Sequence, residues 1–179
     1  MRYILMISMV CLLLAPLAGT QEPGPNAALF KDFSRSVHID GLTLSFVLLN
    51  DRTVDALFEA PGKYAMRARA RMATTFFVQG TPDKDIQLDT KFVIEQDGQT
   101  VAGTSHNIKN FAGGAVAKGT RIDGILEMEK KLDMAHAFKI KGSHATVEFK
   151  LSPEALKLME PPPPPAPPAT PPKQTEASP

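Results

Sequence analysis

The chain has 179 residues, of which 43% are hydrophobic and 22% charged, a balance that is typical of a folded domain and excludes a wholly disordered protein. Its formal net charge of +1 argues against nucleic-acid binding, which requires concentrated Lys and Arg. A single Cys allows no disulfide within the chain.

Residues 1–20 have the pattern of a secretory signal peptide. Arg2 precedes an apolar run over residues 3–14, and the small residues Ala18 and Gly19 follow as a cleavage site. The run is shorter than the roughly 20 apolar residues of a membrane span, so we expect no stable span after cleavage. We therefore expect an exported protein, periplasmic or extracellular. The remaining chain has no N-x-Ser/Thr sequon, which favours a bacterial source.

Alternating apolar and polar residues predict strands in the body of the chain, residues 28–152. Segments 42–49 and 54–58 fit short strands. The longest pattern, over residues 64–78, predicts one long strand with Phe76 and Val78 on its apolar face. A helix is the rival interpretation, because Ala, Met and Arg favour helices, but it would scatter the three arginines of this segment around its circumference.

Two turns predict how the following strands pair. Asp97 and Gly98 form the dipeptide that type I′ hairpins prefer, which sets Ile94 opposite Val101. A loop over residues 80–84 would likewise set Val78 opposite Ile86. Both turns place apolar side chains on one face, and a slip of one residue would destroy that agreement.

Further strands are predicted over residues 122–132 and around a Gly142–Ser143 hairpin, which would set Ile140 opposite Ala145. Seven to nine strands and no long helical pattern indicate an all-β, antiparallel domain. We expect an immunoglobulin-like β-sandwich, and the alternative is a small closed, lipocalin-like barrel.

The C-terminal part of the chain changes character after the last strand. Ser152 and Pro153 can begin a short helix or linker over residues 153–160, which Pro161 ends. Ten of the 19 residues in 161–179 are Pro, which predicts a disordered, extended tail that is dispensable for folding. The tail is interpreted as a spacer, as a ligand for an aromatic groove, or as a segment without a role.

Five residues are candidates for ligand binding. Arg67, Arg69 and Arg71 would project as a row from one face of the 64–78 strand and could bind an anionic ligand or surface. The same register places Arg69 opposite a glutamate, Glu95, so the row could instead form cross-strand ion pairs. A second pair, His106 opposite Asp89, would begin a catalytic or metal arrangement that lacks its other members.

No motif for zinc, calcium, phosphate or an activated serine is present, so we predict no catalytic residue, no metal, no cofactor and no enzyme activity. We expect a non-enzymatic binding or protein-interaction module, with an unidentified protein or an anionic envelope component as its partner. The alternative is a barrel that carries a small apolar ligand. Small or flexible residues on the predicted inner face, Met66, Ala68, Gly103 and Ala145, could leave a cavity, although they would also allow tight packing.

Overall fold

The computed structural model describes residues 27–159, and the predicted signal peptide and Pro-rich tail lie outside this range. The described chain forms four helices and ten strands. The helices are α1 (Ala27–Phe33), α2 (Asp51–Leu57), α3 (Gly62–Met72) and α4 (Pro153–Met159). The strands are β1 (Ser34–Ile39), β2 (Leu42–Leu48), β3 (Thr75–Pro82), β4 (Ile86–Leu88), β5 (Val93–Gln96), β6 (Gln99–Lys109), β7 (Gly114–Val116), β8 (Ile122–Met128), β9 (Phe138–Lys141) and β10 (Thr146–Phe149).

Eight strands form one antiparallel sheet in the order β1-β2-β3-β8-β6-β5-β9-β10, while β4 pairs with β7 in a second, two-stranded sheet. The large sheet curls until its edge strands β1 and β10 come into contact. Arg35 on β1 donates a hydrogen bond to the carbonyl oxygen of Lys150 at 3.0 Å, and its guanidinium lies 5.6 Å from the centre of the Phe149 ring. The sheet is nearly closed, and the predicted all-β, antiparallel class is confirmed. The choice between a sandwich and a closed barrel stays a prediction.

Phenylalanine side chains fill the interior of the curled sheet. The Phe138 and Phe149 rings stack with their centroids 5.2 Å apart, and Phe76 contacts both. Phe46 meets Phe92 edge-on at 5.4 Å. Each ring removes a large apolar area from water, so this cluster contributes strongly to hydrophobic stabilisation.

A second apolar cluster lies on the outer face of the sheet, under helices α2 and α3. Val47, Phe77 and Ile125 are buried there, and Met66 and Ala70 of α3 pack against them. In the alternating pattern of residues 122–132, Ile125 falls among the polar positions, but this face of β2, β3 and β8 is covered by helices. Both faces of these central strands are therefore apolar.

The predicted strand over residues 64–78 is wrong for most of its length. Residues Gly62–Met72 form α3, and only Thr75–Pro82 form a strand. One spacing explains the error, because residues four apart share a face in a strand and also in a helix. The helix is favoured by the high helix propensity of Ala, Arg and Met. It also buries Met66 and Ala70 together, one turn apart.

The predicted strand over residues 54–58 is also wrong, since α2 occupies Asp51–Leu57. Asn50 begins this helix with a capping box. Its Oδ1 accepts hydrogen bonds from the backbone N–H groups of Arg52 and Thr53 at 2.9 and 3.0 Å, and Thr53 Oγ1 accepts from the Asn50 N–H at 2.9 Å. These bonds satisfy N–H groups that a helix start leaves without partners.

The Asp97–Gly98 hairpin is confirmed. Both residues have positive φ, 50° and 74°, as a type I′ turn requires, and Ile94 pairs with Val101. The pairing across residues 80–84 is wrong, because Val78 pairs with Phe46 on β2 and with Gly124 on β8. The long apolar strands β2 and β8 take both edges of β3, which leaves β4 to pair with β7.

The hairpin at Gly142–Ser143 exists with a longer loop than predicted. Val147 pairs with Ile140 where Ala145 was expected, so residues 142–145 form a four-residue connection. The Gly142 N–H closes this loop by donating to the Ala145 carbonyl at 2.9 Å. A shift of two residues keeps every side chain on its predicted face.

The short C-terminal helix is confirmed as α4, Pro153–Met159. The Ser152 hydroxyl accepts a hydrogen bond from the Ala155 N–H at 3.1 Å, as an N-cap does, and Ala155 is fully buried. None of the helices between residues 27 and 159 has the length and apolar character that a membrane crossing needs.

Candidate ligand cleft

A cleft of about 480 Å³ opens at the end of the sheet where the β1–β2 turn, β4 and the loop over residues 142–145 meet. We call it the turn cleft. It is lined by His38, Ile39, Asp40, Leu42, Leu44, Ile86, Gln87, Leu88, Asp89, Phe92, Gly142, Ser143 and His144.

The floor of the turn cleft is apolar. Leu44, Leu88 and Phe92 are buried and belong to the core inside the sheet. Gly142 closes against this floor so tightly that an added Cβ would lie 2.9 Å from the Phe92 ring. A ligand here would therefore contact a preformed apolar surface.

An ion pair holds one side of the rim. Asp40 and Gly41 form the β1–β2 turn with φ of 39° and 83°, and the Asp40 carboxylate accepts a hydrogen bond from the Lys84 ammonium at 2.5 Å. This bond lowers the pKa of Asp40 and raises the pKa of Lys84. Because Lys84 lies between β3 and β4, this ion pair joins the β1–β2 turn to the β3–β4 connection.

A second carboxylate bridges the opposite side. The Ser143 hydroxyl donates a hydrogen bond to Asp89 Oδ2, and the Lys91 N–H donates to Asp89 Oδ1 at 2.9 Å. These two donors lower the pKa of Asp89, the Ser143 bond being the larger cause. Asp89 thus connects the end of β4 to the loop over residues 142–145.

Two histidines complete the rim. His38 Nδ1 lies 3.2 Å from Thr43 Oγ1, within hydrogen-bond distance. His144 is exposed and lines the cleft from the loop over residues 142–145. The positive form of either imidazole would help to lower the pKa of Asp40.

Of the five predicted site residues, only Asp89 lines the turn cleft. The predicted row Arg67, Arg69 and Arg71 does not exist, because α3 turns the middle arginine away from the other two. Arg71 contacts Asp51 at 3.0 Å. Arg67 pairs with Asp55, and both acidic residues belong to α2.

Arg69 points to a different part of the sheet. Its Nη1 contacts Glu127 Oε2 at 2.5 Å and lies 3.5 Å from His106 Nε2. The predicted pairing with Glu95 is wrong, since Glu95 pairs with Lys141. The arginines therefore attach α3 to α2 and to β8.

The predicted pair of His106 and Asp89 is wrong as well. His106 on β6 lies opposite Ile125 of β8, on the outer face that carries α3. Asp89 lies on the rim of the turn cleft. The prediction failed because it carried the pairing of β5 and β6 beyond Val93, where the ladder between these strands ends.

His38, Ser143 and His144 were not predicted as site residues. Their signal lay in the turns, where Asp40–Gly41 and Gly142–Ser143 place polar residues between apolar strands. Met66 and Ala68, predicted to line the interior, belong to α3. In the part of the chain that the structure describes, no three His, Cys, Asp or Glu side chains are grouped as metal ligands.

No family model, curated protein or solved structure matches the chain. Function is therefore inferred from the geometry of the turn cleft.

Proposed function

We propose that the protein is an exported, non-enzymatic binding protein that carries a small ligand with an apolar body in the turn cleft. The observation that supports this proposal is the combination of an apolar floor with a polar rim in a cleft of about 480 Å³. Small-molecule sites are commonly about 300–1,000 Å³, mostly apolar, with a few polar groups that orient the ligand. This function corresponds to the carrier alternative drawn from the sequence.

The rim favours binding over catalysis. The Ser143 hydroxyl donates to a carboxylate, whereas an activated serine donates to a neutral base such as an imidazole. Asp89 has a lowered pKa, which makes it a weak proton acceptor. Asp40 is neutralised by Lys84. The polar groups are thus suited to orienting the polar end of a ligand.

A cleft-filling substitution tests this function. Ile86 is half-buried and lines the turn cleft, so Ile86→Trp should occupy its volume. We expect the wild-type protein to bind 1-anilinonaphthalene-8-sulfonate, a dye with apolar rings and one sulfonate group, saturably at one site, and Ile86→Trp to lose this binding.

The matched control is Ile108→Trp, because Ile108 is also on a strand, is 52% exposed and lies outside the turn cleft. This control should bind the dye as the wild type does. Equal binding by all three proteins would contradict the proposal.

Export is a separate part of the proposal and is supported by the apolar run over residues 3–14. Expression of the full chain in an exporting host should give a product whose intact mass lacks about 20 N-terminal residues. An unshortened product retained inside the cell would contradict export and would leave the binding proposal to its own test.

A further inference from the structure

A second cleft, of about 800 Å³, lies between α2, α3 and the C-terminal end of α4. We call it the helix cleft. Its wall includes Asn50, Arg67, Arg71, Lys131 and Met159. It shares no lining residue with the turn cleft. The two clefts lie at opposite ends of β2, which begins at Leu42 in the turn cleft and ends at Leu48, two residues before Asn50.

Two buried donors in the wall of the helix cleft lack acceptors. Asn50 is 9% exposed, and its Oδ1 is used in the cap of α2, but its Nδ2 has no partner among residues 27–159. Arg67 Nε is also buried and has no hydrogen-bond acceptor in that range, since its ion-pair partner Asp51 Oδ1 is 4.0 Å away. Buried donors without acceptors are costly, so this wall is suited to a segment that brings carbonyl or carboxylate oxygens.

The described chain ends at this wall. Leu158 and Met159, the last two residues of α4, line the helix cleft, and 20 residues of the sequence follow Met159. A segment attached at the wall has a high effective concentration in the cleft, since its binding is intramolecular. A segment that follows Met159 in the sequence therefore needs no second molecule to bind there.

The chemistry of that segment matches the wall. Proline has a carbonyl acceptor and no N–H donor, so a proline-rich segment supplies acceptors and brings few donors that would need partners. Glu160 directly follows Met159 and offers a carboxylate to the Lys131 ammonium, whereas Arg71 already pairs with Asp51. Leu49 and Ala70 add apolar contacts.

We propose that the proline-rich segment 160–172 of this chain docks in the helix cleft, with its oxygens accepting hydrogen bonds from Asn50 Nδ2 and Arg67 Nε. This interaction is independent of ligand binding in the turn cleft, so either can fail without the other. The chain truncated after Met159 keeps α4 and its buried Ala155, and we expect it to fold.

Nitrogen-15 NMR of the Asn50 side-chain amide and the Arg67 Nε–H tests the docking. These resonances should differ between the full chain and the chain ending at Met159. A synthetic peptide of residues 160–172, added to the truncated protein, should return them saturably toward their full-chain positions. Identical spectra of the two proteins, or no response to the peptide, would overturn the proposal.

Two variants of the truncated protein identify the donor. Asn50→Asp keeps the Oδ1 acceptor of the cap and replaces Nδ2 by an acceptor, so peptide affinity should fall at least fivefold. Asn110→Asp makes the same change at an exposed site outside the helix cleft and should leave affinity unchanged. Equal affinities would contradict the proposed bond to Asn50. Shifts in the full chain that depend on protein concentration would assign the segment to a second copy and overturn intramolecular docking.

Discussion

The Ser143 hydroxyl donates a hydrogen bond to the Asp89 carboxylate across 54 residues of sequence, and this bond joins two walls of the turn cleft. One wall follows β4 and the other is the loop between β9 and β10. These elements belong to different sheets, so the bond helps to fix the width of the opening.

Removal of the Ser143 hydroxyl should raise the pKa of Asp89. In Ser143→Ala only the Lys91 N–H still donates to this carboxylate. A lowered carboxyl pKa adds stability above the pKa of the unfolded chain, and this stability is lost as pH falls through the folded value. Carbon-13 NMR of Asp89 should therefore show a higher pKa, and acid unfolding should lose part of its pH dependence. An unchanged titration of Asp89 would contradict the bond.

Asp97 in the β5–β6 turn pairs with His136, which precedes β9, and the pH dependence of this pair has the opposite sign. The Asp97 carboxylate accepts a hydrogen bond from His136 Nδ1 at 2.9 Å, and this bond raises the pKa of His136. A raised histidine pKa adds stability below the unfolded value, about 6.5, which is lost as pH rises through the folded value.

Asp97→Asn should remove this effect while keeping the turn, because Asn–Gly also suits type I′ geometry. Proton NMR of the His136 ring should show its pKa falling toward the ordinary value. A His136 pKa that is the same in the variant would contradict the ion pair.

The position of Arg69 can be tested by double-mutant cycles. Arg69 and Glu127 are 39% and 31% exposed, so screening limits their coupling to about 0.5–1 kcal/mol. Urea unfolding of Arg69→Met, Glu127→Gln and the double variant measures this coupling. The same cycle with Glu95→Gln should give no coupling, and a coupling to Glu95 larger than that to Glu127 would restore the strand pairing predicted from the sequence.

Tight packing at Gly124 predicts a large effect of a single methyl group. An added Cβ would lie 1.9 Å from the Phe111 ring, which is 1% exposed. Gly124→Ala should lower the free energy of unfolding by about 1–3 kcal/mol or more, since overpacking forces the ring to move. Gly62→Ala is the control, because no heavy atom lies within 4 Å of its added Cβ. Similar unfolding midpoints for the two variants would contradict this packing.

The strand pairs that could be predicted were those governed by local turn chemistry. Asp97–Gly98 specifies its hairpin because both residues tolerate positive φ. The predicted hairpin at Gly142 was two residues too short. Because a shift of two residues leaves each side chain on the same face of its strand, the apolar faces of β9 and β10 were still predicted correctly. Period-2 patterns near such turns therefore located the interior correctly.

Helices α2 and α3 were missed although α4 was predicted, because their short apolar patterns also fit strands and the apolar face they cover comes from distant strands. The sequence around Val54 fits a strand, but Val54 lies in helix α2, whose start is capped by Asn50 and Thr53. Helix α1 and strand β1 were not predicted, because their sequences show little alternation of apolar and polar residues. Phe33, the last residue of α1, is nevertheless fully buried. The turn cleft combines residues more than 100 positions apart, such as His38 and His144, so no spacing in the sequence could identify it.

Native mass spectrometry of the protein purified from an exporting host most directly tests whether the turn cleft carries a ligand. We expect a bound small molecule with an apolar body, retained by the wild type and by Ile108→Trp and lost from Ile86→Trp. Ligand-free wild-type protein that also fails to bind apolar probes, or a ligand retained equally by Ile86→Trp, would contradict the proposed function.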